Sequence, residues 1–326
     1  MKKIFLILSL VSLSLVAAGT SSGQPDKKTL TKKIMERSGI NDQIRQFPLI
    51  ASSILTQTKD KLRPEVFSAL EREIAKAWDP ERLLKGISDR VEKDLDIKTM
   101  EEVLTWLDSD LGKKITAVEK ANTTPGVMQA IEEYGNSLKK TPPPKKRIDL
   151  VQRLIEAEGS VKSIVDMKTS MTIAMLTAIN PSLPKEKQAD LNVVRKQLEQ
   201  LRPKIEEETR AEEMHGKFYI YRTLKDEELQ HYVEFAESES GKRYNTVTIG
   251  AFTDGMERGS SDFGKVVGEL IKKMSLVSGK VVLNMKDGAT FRWSNYTEKD
   301  SQYCTWRGGG ELCIRKNEVS SIEPDE

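Results

Sequence analysis

Two cysteines, Cys304 and Cys313, occur in the 326-residue chain, and their spacing admits three chemistries: a disulfide, a redox-active pair, or part of a metal site. A redox motif places its cysteines two apart beside a helix, whereas these are nine apart in strand-like sequence. A metal site needs more ligands than two thiolates, and the chain has only His215 and His231 as histidines. The disulfide is the reading that remains. With Gly308-Gly309 at the centre of a hairpin turn, Arg307 pairs with Gly310 and, counting outward, Cys304 faces Cys313. That is a non-hydrogen-bonded pair with Cα atoms about 4.5 Å apart, inside the roughly 4.4–6.8 Å that a disulfide spans.

No catalytic residue, cofactor site or metal site is expected. A Ser-His-Asp or Cys-His arrangement requires a histidine, yet neither His215 nor His231 stands near a G-x-S-x-G elbow, and there is no H-E-x-x-H. His231 falls beside Glu227 and Glu234 on one helix face, which reads as surface pairing. Glu206-Glu207-Glu208 and Glu212-Glu213 read as a solvated helix face. Gly308-Gly309-Gly310 lacks the Lys-Ser/Thr and the helix of a phosphate loop. Met167, Met171 and Met175, with Leu176, form a helical stripe. Such a stripe belongs to a core or, where exposed, to an adaptable hydrophobic groove.

The elements that carry these residues repeat. Leu30 to Gly39 is echoed by Leu150 to Gly159, each an apolar-periodic helix ending on a glycine suited to a left-handed cap. Met100, Val103, Leu104, Trp106, Leu107, Ser109 and Gly112-Lys113-Lys114 are echoed by Leu229, Tyr232, Val233, Phe235, Ala236, Ser238 and Gly241-Lys242-Arg243. Pro64 and the Asp79-Pro80-Glu81 run mark helix starts. Thr141 to Lys146 holds three consecutive prolines, a stiff spacer between the copies. From about Gly279 the period becomes strand-like, with a Lys286-Asp287-Gly288 turn and five short strands, the last at Val319 to Ile322.

The chain starts with Lys2-Lys3, an apolar run from Ile4 to Val16, and then Ala17-Ala18-Gly19, the plan of a cleavable secretory signal peptide. The run is shorter than the ~20 residues a spanning helix needs. No cysteine follows it, so no lipid anchor is expected. Basic and acidic residues number 52 and 50; removal of Lys2 and Lys3 balances them, which speaks against a nucleic-acid partner. Lys139-Lys140 with Lys145-Lys146-Arg147 is a local basic cluster of the linker.

Phe235-Ala236-Glu237-Ser238-Glu239-Ser240-Gly241-Lys242-Arg243, preceded by Leu224 to Leu229 with its Glu227-Glu228-Leu229, resembles the bacterial periplasmic family catalogued as domain of unknown function 2059. Trp106-Leu107-Asp108-Ser109-Asp110-Leu111-Gly112-Lys113-Lys114 is similar to it as a second copy. The family's tyrosine and proline places hold Ala236 and Ser240 here, and Leu107 and Leu111 in the first copy. The resemblance implies an exported all-helical domain and no known activity. In physical terms Tyr232, Phe235 and Ala236 share a face that should meet a core, and Gly241 should stop the helix with Lys242 and Arg243 at its negative end.

The expected architecture is mainly α: a signal peptide (1–18), two tandem helical-bundle domains (28–138 and 148–274) joined by a Pro/Lys linker (139–147), and a disulfide-stapled all-β domain (278–324), an SH3-like barrel or meander. The expected role is a periplasmic or secreted, non-enzymatic binding or scaffold protein whose partner is a protein or another cell-envelope component. A chaperone or lipid carrier using the Met167–Met175 face is the alternative. A cell-wall-associated enzyme with a β targeting domain is the other.

Overall fold

The computed structural model describes residues 26–56, 59, 62, 64–124, 126–275, 281–294, 296–298, 301–307 and 310–324. The expected signal peptide and the Gly308-Gly309 turn lie outside the described residues. Local rules set the helix starts. Asp26 accepts from the Thr29 amide at 2.7 Å and opens α1 (Lys27–Arg37). Gly39, at φ 76°, then turns the chain into α2 (Ile40–Thr56). Pro64 begins α3 (Pro64–Ala77), and Asp79 with Pro80 begins α4 (Pro80–Asp94). Asp96 caps α5 (Ile97–Asp108), and Ser109 caps α6 (Asp110–Ala121). After α7 (Val127–Leu138) come the prolines, and α8 (Lys145–Glu158) starts directly behind Pro144. Gly159, at φ 63°, repeats the part of Gly39 and leads into α9 (Ser160–Ile179). The helical part closes with α10 (Leu191–Ile220), α11 (Asp226–Glu237) and α12 (Glu239–Ser275). None of the described helices is long and apolar enough to cross a membrane.

Two apolar cores form. The first gathers Ile34, Ile87, Val91 and Met100 from α1, α4 and α5, together with Tyr244, Val247, Ala251 and Met256 from α12. Trp78 donates its indole N–H to the Met256 carbonyl at 3.3 Å, pinning α12 against α3 and α4. The second core gathers Val151, Leu154 and Ile155 of α8 with Leu229, Val233 and Ala236 of α11, and takes in Ile115 of α6. Each core therefore includes residues from both halves of the chain. Trp106 rests against both.

The repeated motif is a corner between two helices, and it corrects the expectation for Gly241. Ser238 ends α11 and its hydroxyl accepts from the Gly241 amide at 3.0 Å while donating to the Phe235 carbonyl at 2.7 Å. Ser109 does the same for Gly112 (3.0 Å) and Trp106 (2.6 Å). Gly241 thus lies in the first turn of α12, not at the end of α11, and Lys242 and Arg243 sit at the positive end of a helix. The chain bends so sharply that a Cβ on Gly112 or Gly241 would overlap the carbonyl of Trp106 or Phe235. The glycine is there for close approach, not for a left-handed conformation.

The C-terminal part is antiparallel β. Strands β1 (Val281–Met285), β2 (Thr290–Trp293) and β6 (Val319–Pro324) form one sheet in the order β2-β1-β6. Strands β3 (Thr297–Glu298), β4 (Gln302–Arg307) and β5 (Gly310–Arg315) form a second. β3 adds a sixth strand to the five expected; at two residues it is too short to show a period. Gly288, at φ 88°, makes the turn between β1 and β2. Val281, Leu283, Trp293 and Ile314 fill the small core. In the β4–β5 ladder Arg307 faces Gly310 and Cys304 faces Cys313, which are joined as a disulfide with Cα atoms 4.0 Å apart.

Candidate functional site

A cavity of about 400 Å³ opens where the two cores meet. The α1–α2 corner supplies Ile40, Ile44 and Phe47, α4 supplies Ile87, and α12 supplies Ile249 and Phe252. Its polar lining includes Ser38 and Gln43 of the same corner, Glu119 of α6, Tyr232 of α11, and Tyr244, Asn245 and Thr248 of α12. A mainly apolar hollow with a few convergent polar groups is the usual form of a small-molecule site. Other depressions indent the helical part. One of about 640 Å³ is walled by paired charges, with Arg37 on Asp108 and Lys120 beside it on Asp42; Lys113 lines it too.

Glu119 connects the cavity to a partly buried polar network. Its Oε1 accepts from the Tyr221 hydroxyl at 2.7 Å and lies 3.3 Å from the Tyr232 hydroxyl. The Tyr232 hydroxyl is equally far from Glu158 Oε1. The single Tyr232 proton can go to either carboxylate, while Tyr221 donates to Glu119 and Lys217 to Glu158. Burial, and then the like charge of Glu158, raises the Glu119 pKa above the ordinary carboxylate value against the opposing Tyr221 hydrogen bond. Burial and the Glu119 charge push both tyrosines well above a normal phenol. Lys217 bonds Glu158 and lies 3.9 Å from Glu213. Burial opposes its charge, yet the flanking carboxylates outweigh that and its pKa is raised. Tyr244, bonded to Ser38, is pushed up to about 12 by burial.

The residues singled out by spacing are placed elsewhere. Met167 and Met171 pack on the first core, and Met175 and Leu176 are partly buried where α9 runs along α12. Phe235 stacks on Trp106 beneath the cavity wall residue Tyr232, which stacks on the same indole with centroids 5.9 Å apart. His231 pairs with Glu234 at 3.0 Å on the surface. The linker lysines act locally: Lys146 pairs with Glu227, and Arg147 holds Asp226 and the Leu224 carbonyl ahead of α11. Cys304 and Cys313 lie beside Glu311, but with their sulfurs bonded to each other they offer no thiolate to a metal. No family model, curated protein or solved structure matches the chain.

Sequence reasoning missed Glu119 and Glu158, although a signal was present. Glu119 falls four residues after Ile115 and next to Val118, on the apolar stripe of α6. Glu158 falls three after Ile155 and four after Leu154. A charge on an apolar stripe must find partners inside, and here they come from α10 and α11.

Proposed function

We propose that this chain is an exported binding protein that encloses a small, mainly apolar ligand between its two helical cores. The single observation that carries this reading is the cavity at the α1–α2 corner and α12, which is lined mainly by hydrocarbon together with Glu119 and Tyr232. Work outside the cytoplasm is supported by the signal-like residues 1–18, by a disulfide that needs an oxidising compartment to persist, and by the resemblance of Trp106–Lys114 and Phe235–Arg243 to a periplasmic family. Of the roles considered, a carrier or binding protein has this support, while Met167 and Met171 of the alternative face pack, partly buried, against the first core.

Titration of the purified full chain with the neutral dye N-phenylnaphthylamine tests it. Saturable binding is expected, with loss of about tenfold or more in affinity in Ile249→Trp, whose indole would fill the cavity. A native chain that leaves the dye unbound, or a folded Ile249→Trp that binds it equally well, would refute the reading.

A further inference from the structure

We propose that the ligand of this cavity carries a cationic amine, seated on the Glu119 carboxylate with its apolar body against Ile40, Ile44, Ile87 and Ile249. The inference rests on the cavity reading above and adds the class of headgroup. Among the described residues lining the cavity, Glu119 is the one charged side chain. An anionic headgroup would meet no cation on that wall. A neutral body without a headgroup would leave the carboxyl facing hydrocarbon.

The hydrogen-bond geometry leaves room for such a partner. Tyr221 and Tyr232 both address Oε1, while Oε2 takes no hydrogen bond from the described residues. The nearby cations are engaged elsewhere: Lys120 with Asp42, and Lys217 with Glu158 and Glu213. Lys217 is paired with Glu158 and Glu213, and among the described residues no cation forms an ion pair with Glu119. An incoming ammonium offsets the cost of burying the Glu119 charge; an incoming carboxylate adds to it. The wall also presents aromatic rings, Phe47 and Phe252 in edge contact at 6.3 Å with Tyr232 and Tyr244 nearby, which suit a cation better than an anion.

Displacement of N-phenylnaphthylamine from the full chain at neutral pH by octylamine, octanol and octanoate tests the headgroup, since the three share one chain. Octylamine is expected to displace the dye at a concentration roughly tenfold or more below octanol, a charge-assisted hydrogen bond's worth. Octanoate should be the weakest. In Glu119→Gln the ratio of octylamine to octanol affinity should fall toward one, with circular dichroism reporting that the variant is folded. Octylamine no tighter than octanol, or octanoate tightest, overturns the headgroup assignment and leaves the cavity reading standing. Failure of all three to displace a bound dye overturns both.

Discussion

The rings of Trp106 and Phe235 lie face to face, with centroids 4.6 Å apart and planes 7° from parallel. They hold the same place in the repeated motif, so the two copies meet through equivalent residues. The pattern extends outward. Lys114 of the first copy bonds Glu228 at the start of α11, and its counterpart Arg243 pairs with Asp96 at the start of α5. Two helical corners thus brace each other about an approximate two-fold centre, and the cavity opens beside that centre.

Trp106→Ala should therefore loosen both cores at once. A loss of about 3–5 kcal/mol is expected, as for other large aromatic truncations. Urea denaturation checks it; a change below about 1 kcal/mol would mean that the stacked pair does not hold the halves together.

Gly112→Ala and Gly241→Ala should each destabilise the fold by about 1–3 kcal/mol, because the added Cβ meets a backbone carbonyl that cannot yield. Gly250 supplies the contrast. It lies inside α12 with open space where a Cβ would go, so Gly250→Ala should stabilise by about 0.5–1 kcal/mol. Thermal melts of the three variants should separate in opposite directions.

Ser109→Ala and Ser238→Ala each remove a cap that serves an amide and a carbonyl together. About 1 kcal/mol apiece is expected. Similar losses from the two sites would agree with the corners being alike; a silent Ser238→Ala would separate them.

Glu119 predicts a pH dependence with a definite sign. Its folded pKa is raised above the ordinary value of 4.5. Below that value it is protonated in both states and its contribution is complete. As pH climbs, the unfolded chain releases its proton first, so the contribution is lost as pH passes through the folded value. The stability of the native chain relative to Glu119→Gln should fall from about pH 4.5 upward. Glu237, held low by its hydrogen bond from Arg153, and Asp96, held low by the Thr99 amide, act in the opposite sense, but both are common to the two chains and cancel. A difference that rises with pH would contradict the desolvated, partly buried placement of Glu119.

Replacing Cys304 and Cys313 by serine should cost the β region about 2–3 kcal/mol, the value for so short a closed loop. Hydrogen exchange is the measurement of choice. Protection should drop in β1 to β6 and persist in α5 and α11, where the apolar cores are independent of the bridge.

What could be read along the chain is what neighbours in sequence decide. The Gly39 and Gly159 turns, the Asp79-Pro80 helix start and the Cys304–Cys313 register all follow from capping, proline and pairing rules that act over a few residues. The predominance of helix and the β tail follow from apolar period alone. The serine-glycine corner was half legible: its recurrence was visible, but whether Gly241 ends one helix or begins another depends on a bend that brings it against the Phe235 carbonyl. Which faces meet was not legible. Glu119 finds Tyr221 and Tyr232 across more than a hundred residues of chain, and α12 completes a core begun by α1. Periodicity states that a face is apolar and not which other face will cover it. The tertiary packing made that choice, and with it the cavity and the Glu119 carboxylate on its wall.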